Sequence, residues 1–372
     1  MKAKKYKQGL VTSLTALSTA MLCHTATTYA SDIEIYKAPT NGGATLMFLL
    51  DLSGSMAGSS PIRKDFFDGE SCTTETKAVN TSIDGANYNF DGTYCFITKS
   101  TYDDLNTAWR ARVDAQVVAK ACIKEEKRLR DRYGNVWTEM TYSCPDRVTM
   151  LKRSLFDLIA GNSSVDGANA TTNEKLPDTS SIGFTTFVYA TPEVKQAPLV
   201  LNTSNRKSLL NLLKDWFASG GTPISEAYSV GAAGLMNHVS RAETACAGYG
   251  VYYLTDGEPS GDSTSTAATS RSSKYLNYYL KSNSQLTSSR GGNCTDSWSC
   301  VATAAGFLYN KDNTSNTEVK TAIVGFGKDF SFAHKTTGND VVYDSSVTYT
   351  DTTLSGYFSG NALAAAKAAV AA

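Results

Sequence analysis

The stretch Ala44-Thr45-Leu46-Met47-Phe48-Leu49-Leu50 runs directly into Asp51-Leu52-Ser53-Gly54-Ser55. An apolar run of this length, too short for a buried helix, reads as a strand covered on both faces. An Asp-x-Ser-x-Ser segment leaving such a strand gathers one carboxylate and two hydroxyls about a point. These are hard oxygen donors with too little negative charge to satisfy a divalent cation. A Mg²⁺ ion takes six oxygens in near-octahedral geometry at about 2.1 Å and readily keeps waters or an outside ligand. The spacing predicts a cation site with an open position, suited to capturing a carboxylate from another molecule. That is binding chemistry more than catalysis.

Working outward, short strand patterns rich in Val, Ile, Phe and Tyr alternate with helical ones, which predicts a parallel sheet with crossover helices. The strands are Ala44 to Leu50, Ile182 to Ala190, Val251 to Thr255 and Thr321 to Gly325, with a shorter one from Pro198 to Leu201. Asp146 caps a helix carrying Val148, Leu151, Leu155 and Ile159, and Gly161 stops it. Ser204 is the expected cap of the next, with Leu209, Leu210, Leu213, Trp216 and Phe217 facing inward before Gly220-Gly221. Thr222-Pro223 opens a third, with Pro at the first helical position. Val301 to Tyr309 and Asn361 to the C-terminus read as two more. Two long segments interrupt this rhythm, 57–145 and 258–299. The first carries an expected helix from Asp103 to Asp131, with Leu105, Trp109, Val113 and Val117 on one stripe. Both segments start just after a candidate metal ligand, where specificity is usually built.

Residues 1–30 read as an export signal. Lys2, Lys4, Lys5 and Lys7 form a basic start, Leu10 to Cys23 is moderately apolar, and Thr28-Tyr29-Ala30 suits a signal peptidase. Without those four lysines, 31 Lys+Arg face 35 Asp+Glu, so the remaining chain is near −4 and a nucleic-acid partner is not expected. No later stretch reaches the ~20 apolar residues of a membrane span. The remaining cysteines are Cys72, Cys95, Cys122, Cys144, Cys246, Cys294 and Cys300. In an exported chain these read as disulfides. Cys294 and Cys300 close a small loop. Cys72, Cys95, Cys122 and Cys144 pair among themselves in one of three connectivities, which leaves Cys246 as the free thiol.

Three separated pieces carry the candidate site: Asp51, Ser53 and Ser55 after the first strand; Thr222 in Gly220-Gly221-Thr222-Pro223; and Asp256 at the end of Val251-Tyr252-Tyr253-Leu254-Thr255. Ser, Thr and Asp beside Gly are ordinary turn formers. In this order, though, each stands at a strand exit or a helix start, the edge where doubly wound sheets bind ligands. The set resembles the von Willebrand factor A domain and its metal-ion-dependent adhesion site. The resemblance implies an α/β fold over 31–372, a doubly wound, mostly parallel sheet flanked by helices, with insertions at 57–145 and 258–299. It further implies Mg²⁺ (or Mn²⁺ or Ca²⁺) held by Ser53, Ser55 and Thr222 directly and by Asp51 and Asp256 often through water. A partner protein's acidic side chain would take the last position.

With Asp32-Ile33-Glu34-Ile35-Tyr36 shortly before the domain and a cysteine-bearing insertion within it, the chain also looks like the N-terminal region of the PilC/PilY family. Those are type IV pilus tip-associated proteins of Gram-negative bacteria, so the implied setting is cell surface, pilus tip or periplasm, with minor pilins or a host surface as partners. Family members continue into a C-terminal β-propeller, and this sequence stops at Ala372. The other reading is an A-domain scaffold for pilus or envelope assembly that touches no host ligand. An enzyme is not expected. There is no Gly-x-Ser-x-Gly elbow, and His238 and His334 read as structural.

Overall fold

The computed structural model describes residues 43–165, 171–173, 175–189, 191–239, 248–256, 265–281, 286, 294 and 296–325. The expected signal segment, Cys246, His334 and the helix expected from Asn361 lie outside them. The described chain is mixed α/β with two sheets, one of them mostly parallel, flanked by helices.

The first sheet is built on β1 (Ala44–Asp51), every residue of which is buried. It pairs in parallel with β8 (Ser181–Val188) on one side and β10 (Gly248–Thr255) on the other. β11 (Val319–Gly325) extends the sheet beyond β10, again in parallel, and β9 (Thr191–Val200) closes the far edge antiparallel to β8. All the strands read from sequence are present. The short one expected near Pro198 is the end of the longer β9, whose burial alternates as an edge strand's should.

Met47 and Leu49 face a core shared with α6 (Ile224–Val239), α7 (Ser265–Leu276) and α8 (Ser297–Tyr309). α7 lies in a segment that the sequence reading left without a helix. On the opposite face the Phe48 ring meets Phe184 and Tyr252, and Phe184 meets Trp216 edge-on. A strand covered on both sides is why the opening heptapeptide shows no alternation.

The second sheet is antiparallel and has six strands in the order β4-β5-β3-β2-β6-β7. These are β2 (Thr73–Ile83), β3 (Ala86–Thr98), β4 (Ile123–Arg130), β5 (Val136–Pro145), β6 (Asn162–Val165) and β7 (Thr171–Thr172). Helices α1 (Ser59–Phe66), α2 (Lys99–Asp104) and α3 (Thr107–Val118) accompany it. Here the expected helix from Asp103 to Asp131 is corrected. Leu105, Trp109, Val113 and Val117 do pack into one cluster, but the chain is extended at Leu105 and Asn106 between α2 and α3, and α3 stops at Val118. Ile123–Arg130 is a strand, held to β5 along its length and anchored by the Cys122–Cys144 disulfide. Lys, Glu and Arg favour helix on propensity, but ladder pairing and a covalent anchor override so small a preference.

α4 (Arg147–Ala160) follows, capped as expected by Asp146, whose Oδ1 accepts from Thr149 N at 2.8 Å. It ends at Gly161 with φ 81°, the left-handed conformation that favours glycine. α5 (Thr203–Lys214) begins earlier than expected, because Asn202 rather than Ser204 caps it through Asn205 N at 2.9 Å. It also ends earlier. Trp216 is half-buried and Phe217 is exposed, not both turned inward.

Disulfides join Cys72 to Cys95, Cys122 to Cys144 and Cys294 to Cys300. The first two each close a hairpin, β2/β3 and β4/β5, and Cys95 lies opposite Cys144 across β3 and β5. Loop-closure entropy for rings of this size is worth about 3 kcal/mol each. Peptide mapping of the unreduced protein is expected to recover these three links. A Cys95–Cys144 peptide would contradict the pairing. Replacing Cys122 and Cys144 together by Ser should lower stability by about 2–4 kcal/mol in a urea titration.

Candidate metal centre

The strand order places β1 at a topological switch point. The chain goes from β1 to β8 and β9 on one side, then returns to β10 and β11 on the other. Loops at the carboxyl ends of strands on either side of such a point part company, and the crevice between them is where open α/β sheets bind ligands. Asp51 is the last residue of β1, and Asp256 follows the last residue of β10.

Both carboxylates are buried, Asp51 at 0 % and Asp256 at 4 % exposure. Asp51 Oδ1 accepts from Ser53 N at 2.8 Å, which folds the exit of β1 back on itself. Its Oδ2 accepts from Thr255 Oγ1 at 2.7 Å and from Asp256 N at 3.3 Å, which ties the end of β1 to the end of β10. Ser53 Oγ and the exposed Ser55 Oγ stand 3.0 Å apart across a short 3-10 turn (Gly54–Met56). The third piece is brought in through its backbone. Gly54 N donates to Gly220 O at 2.9 Å and Ser219 N donates to Leu52 O at 2.8 Å. The Gly220-Gly221-Thr222 loop is therefore stitched to the Asp51–Ser55 loop, and Thr222, 3 % exposed, lies two residues before α6. Gly220 has φ +85°, and a Cβ there would come within 2.4 Å of Tyr189 Cα. Only glycine allows both the turn and that approach.

Asp51, Ser53, the Thr222 loop and Asp256 thus meet at one edge. Ser55 forms its exposed rim. Burial first, and the Asp256 charge second, push the Asp51 carboxyl up to about 7. Asp256 Oδ1 is buried without a hydrogen-bond partner among the described residues, an arrangement that native interiors avoid. Two crowded carboxylates, an orphaned oxygen and a pair of adjacent hydroxyls fit a hard cation well. Among the described residues no three His, Cys, Asp or Glu side chains gather at ion-binding spacing. Hydroxyls would have to supply the remaining protein donors, which suits Mg²⁺ better than zinc.

Two groups at this edge, Arg147 and Asp65, were not among the residues expected from the sequence. Arg147, the first residue of α4, donates from Nη1 to Asp256 Oδ2 at 3.2 Å. It also grips Asp65 of α1 with Nε and Nη2, at 2.7 and 2.9 Å. A usable signal was present, since a cation in the first turn of a helix opposes the helix dipole and calls for a carboxylate partner. His238, partly buried near the end of α6, has its imidazole held below the ordinary value by desolvation.

No family model matches this chain, and no curated protein matches it. A solved structure of an aerotolerance-related membrane protein from Bacteroides fragilis NCTC 9343, with multiple mutations to serines, is similar at 12% identity over 82% of this chain and 78% of that one. Its TM-score is 0.26, and a likeness of that size carries no argument for fold or function.

A carboxyl that holds its proton more tightly folded than unfolded stabilises the fold fully at acid pH, and that contribution is lost as pH rises through its folded value. In EDTA, stability is therefore expected to fall between the ordinary carboxylate range and about pH 7, by up to ~1.4 kcal/mol per pH unit for one such group. Urea titrations from pH 5 to 8 measure the slope. Asp51→Asn should flatten it, and an unchanged slope in that variant would assign it elsewhere.

Proposed function

We propose that this chain is a metal-dependent binding module of an exported bacterial surface protein. Residues 1–30 direct export, and the remainder is a von Willebrand factor A-like domain. Mg²⁺ (or Mn²⁺ or Ca²⁺) is held by Asp51, Ser53, Ser55, Thr222 and Asp256. When bound, the ion supplies a Lewis-acidic coordination position for an acidic side chain of a partner protein. The setting that best suits the sequence is a type IV pilus tip-associated adhesin or biogenesis factor of a Gram-negative bacterium, at the cell surface, pilus tip or periplasm.

The observation that carries this reading is Asp256 Oδ1, buried beside Asp51 at the switch point of the sheet with no hydrogen-bond partner among the described residues. A buried anionic oxygen without a partner is expensive, and a cation is the simplest group to relieve it. Accessibility supports binding over a purely internal ion. Ser55 is exposed, and on the neighbouring rim Tyr189 and Phe217, 65 % and 55 % exposed, pack edge to face. Tyr189 N donates to Ser219 O, so this aromatic pair is fastened to the loop that carries Thr222. Exposed aromatics beside a charged centre suit a protein partner. No helix among the described residues is long and apolar enough to cross a membrane.

The reading makes two measurements decisive. Wild type should melt higher in Mg²⁺, since a ligand at 100 times its Kd stabilises the native state by about 2.7 kcal/mol, and Asp51→Ala or Thr222→Ala should lose that increment. Adhesion of the purified protein to cells or matrix should require Mg²⁺ and fail in EDTA, with Ser53→Ala weakening it on every surface. Equal adhesion in both conditions would favour the scaffold for pilus or envelope assembly.

A further inference from the structure

Arg147, Asp65 and Asp256 are 8 %, 2 % and 4 % exposed, so their charges face one another with little water between. The guanidinium spends two shorter bonds on Asp65, at 2.7 and 2.9 Å, and one longer bond on Asp256, at 3.2 Å. Asp65 holds the cation in a two-pronged grip, the strongest geometry this pair can make. Asp256 receives only the remaining edge of the fork, and its other oxygen has no partner among the described residues.

From this geometry we propose that Arg147 is the internal counter-charge of the cation edge, and that Asp65 sets how much of it Asp256 feels. The proposal rests on the reading of that edge as a divalent-cation site. With Asp65 in place, Arg147 and Asp65 neutralise each other, and Asp51 and Asp256 together offer the two negative charges a divalent ion matches. If Asp65 lost its charge, the guanidinium would turn to Asp256 and compete with the ion for it. If Arg147 and Asp65 were both apolar, no competitor would remain. Arg147 is thus a positioning residue that acts through Asp256. Asp65, which lies in the first helix of the segment leading to the second sheet, makes ion affinity sensitive to how that segment packs.

Removing Asp65 alone should weaken the ion and removing the pair should not, a split that a purely structural role would not produce. Calorimetric titration of the full chain with Mg²⁺ is the test, with melting in EDTA as an independent readout. Asp65→Asn should weaken Mg²⁺ binding about tenfold or more, because an unscreened guanidinium bonded to Asp256 competes directly with an ion for the same buried carboxylate. The double variant Arg147→Met with Asp65→Leu, which leaves no buried charge unpaired in this pair, should bind Mg²⁺ as tightly as wild type or tighter. Arg147→Lys with Asp65 intact should stay near wild-type affinity while melting lower in EDTA, since it keeps the charge and loses the two-pronged grip. Wild type that binds Mg²⁺ while Asp65→Asn and the double variant both weaken it, or both leave it within twofold, overturns this proposal alone. Wild type that takes up no Mg²⁺ overturns the cation reading as well.

Discussion

Two carboxylates buried at the same edge of one sheet impose the constraint that the surrounding structure answers. Asp51 and Asp256 sit so close that the backbone amide of one donates to the side chain of the other. Like charges withdrawn from water together are unfavourable unless donors or cations compensate them. Every neighbouring element contributes something toward that end. The turn after β1 supplies Ser53 N, β10 supplies Thr255 Oγ1, and the head of α4 supplies the Arg147 guanidinium. The remainder left uncompensated is the feature on which the proposed affinity for a positive ion rests. A fold that satisfied both carboxylates completely would have no reason to bind one.

Topology explains why these groups meet although they are distant in sequence. Parallel strands carry their exits to one edge, and the reversal of strand order about β1 opens that edge between β1 and β10. The Gly220 loop has no strand to place it and depends instead on backbone contacts with the exit of β1 and on the absence of a side chain at Gly220. Glycine is needed there for closeness as much as for its torsion angle.

Much of this was legible in the residues themselves. β1, β8 and β10 announce themselves because strands covered on both faces become apolar-rich runs without clear alternation, β11, at the edge, through its short apolar stretch Ala322-Ile323-Val324, and α4 because Asp146 and Gly161 bracket its periodicity. Asp51, Ser53, Thr222 and Asp256 could be grouped because each stands at a strand exit or helix start. The second sheet was opaque. Its strands carry polar residues on both faces, so β4, with Lys127 and Glu125 in ion pairs against Glu75 and Lys77, reads locally as a charged helix. Only the ladder to β5 and the Cys122 bond decide otherwise. The Cys72–Cys95 and Cys122–Cys144 pairing was hidden for a related reason, since hairpin register, unseen in sequence, selects it. Arg147 and Asp65 belong to a contact made between two helices; a cation at the head of α4 signals that a carboxylate partner is needed, but no local pattern says which one.

One small hydrogen bond has a wider consequence. Gly58 N donates to Asp146 Oδ2 at 2.9 Å, so the chain that departs after the Gly54–Met56 turn comes back to within a single bond of its departure point before α4 begins. The same carboxylate caps that helix through its other oxygen. Asp146 is therefore a clasp, and the stretch it closes off is a bight hung from a fixed ring. Closing a longer bight adds only about 0.6 kcal/mol of chain entropy per doubling of its length. Lineages could lengthen, shorten or restyle what hangs there while the ring, and the Asp51–Asp256 edge beside it, kept the same dimensions.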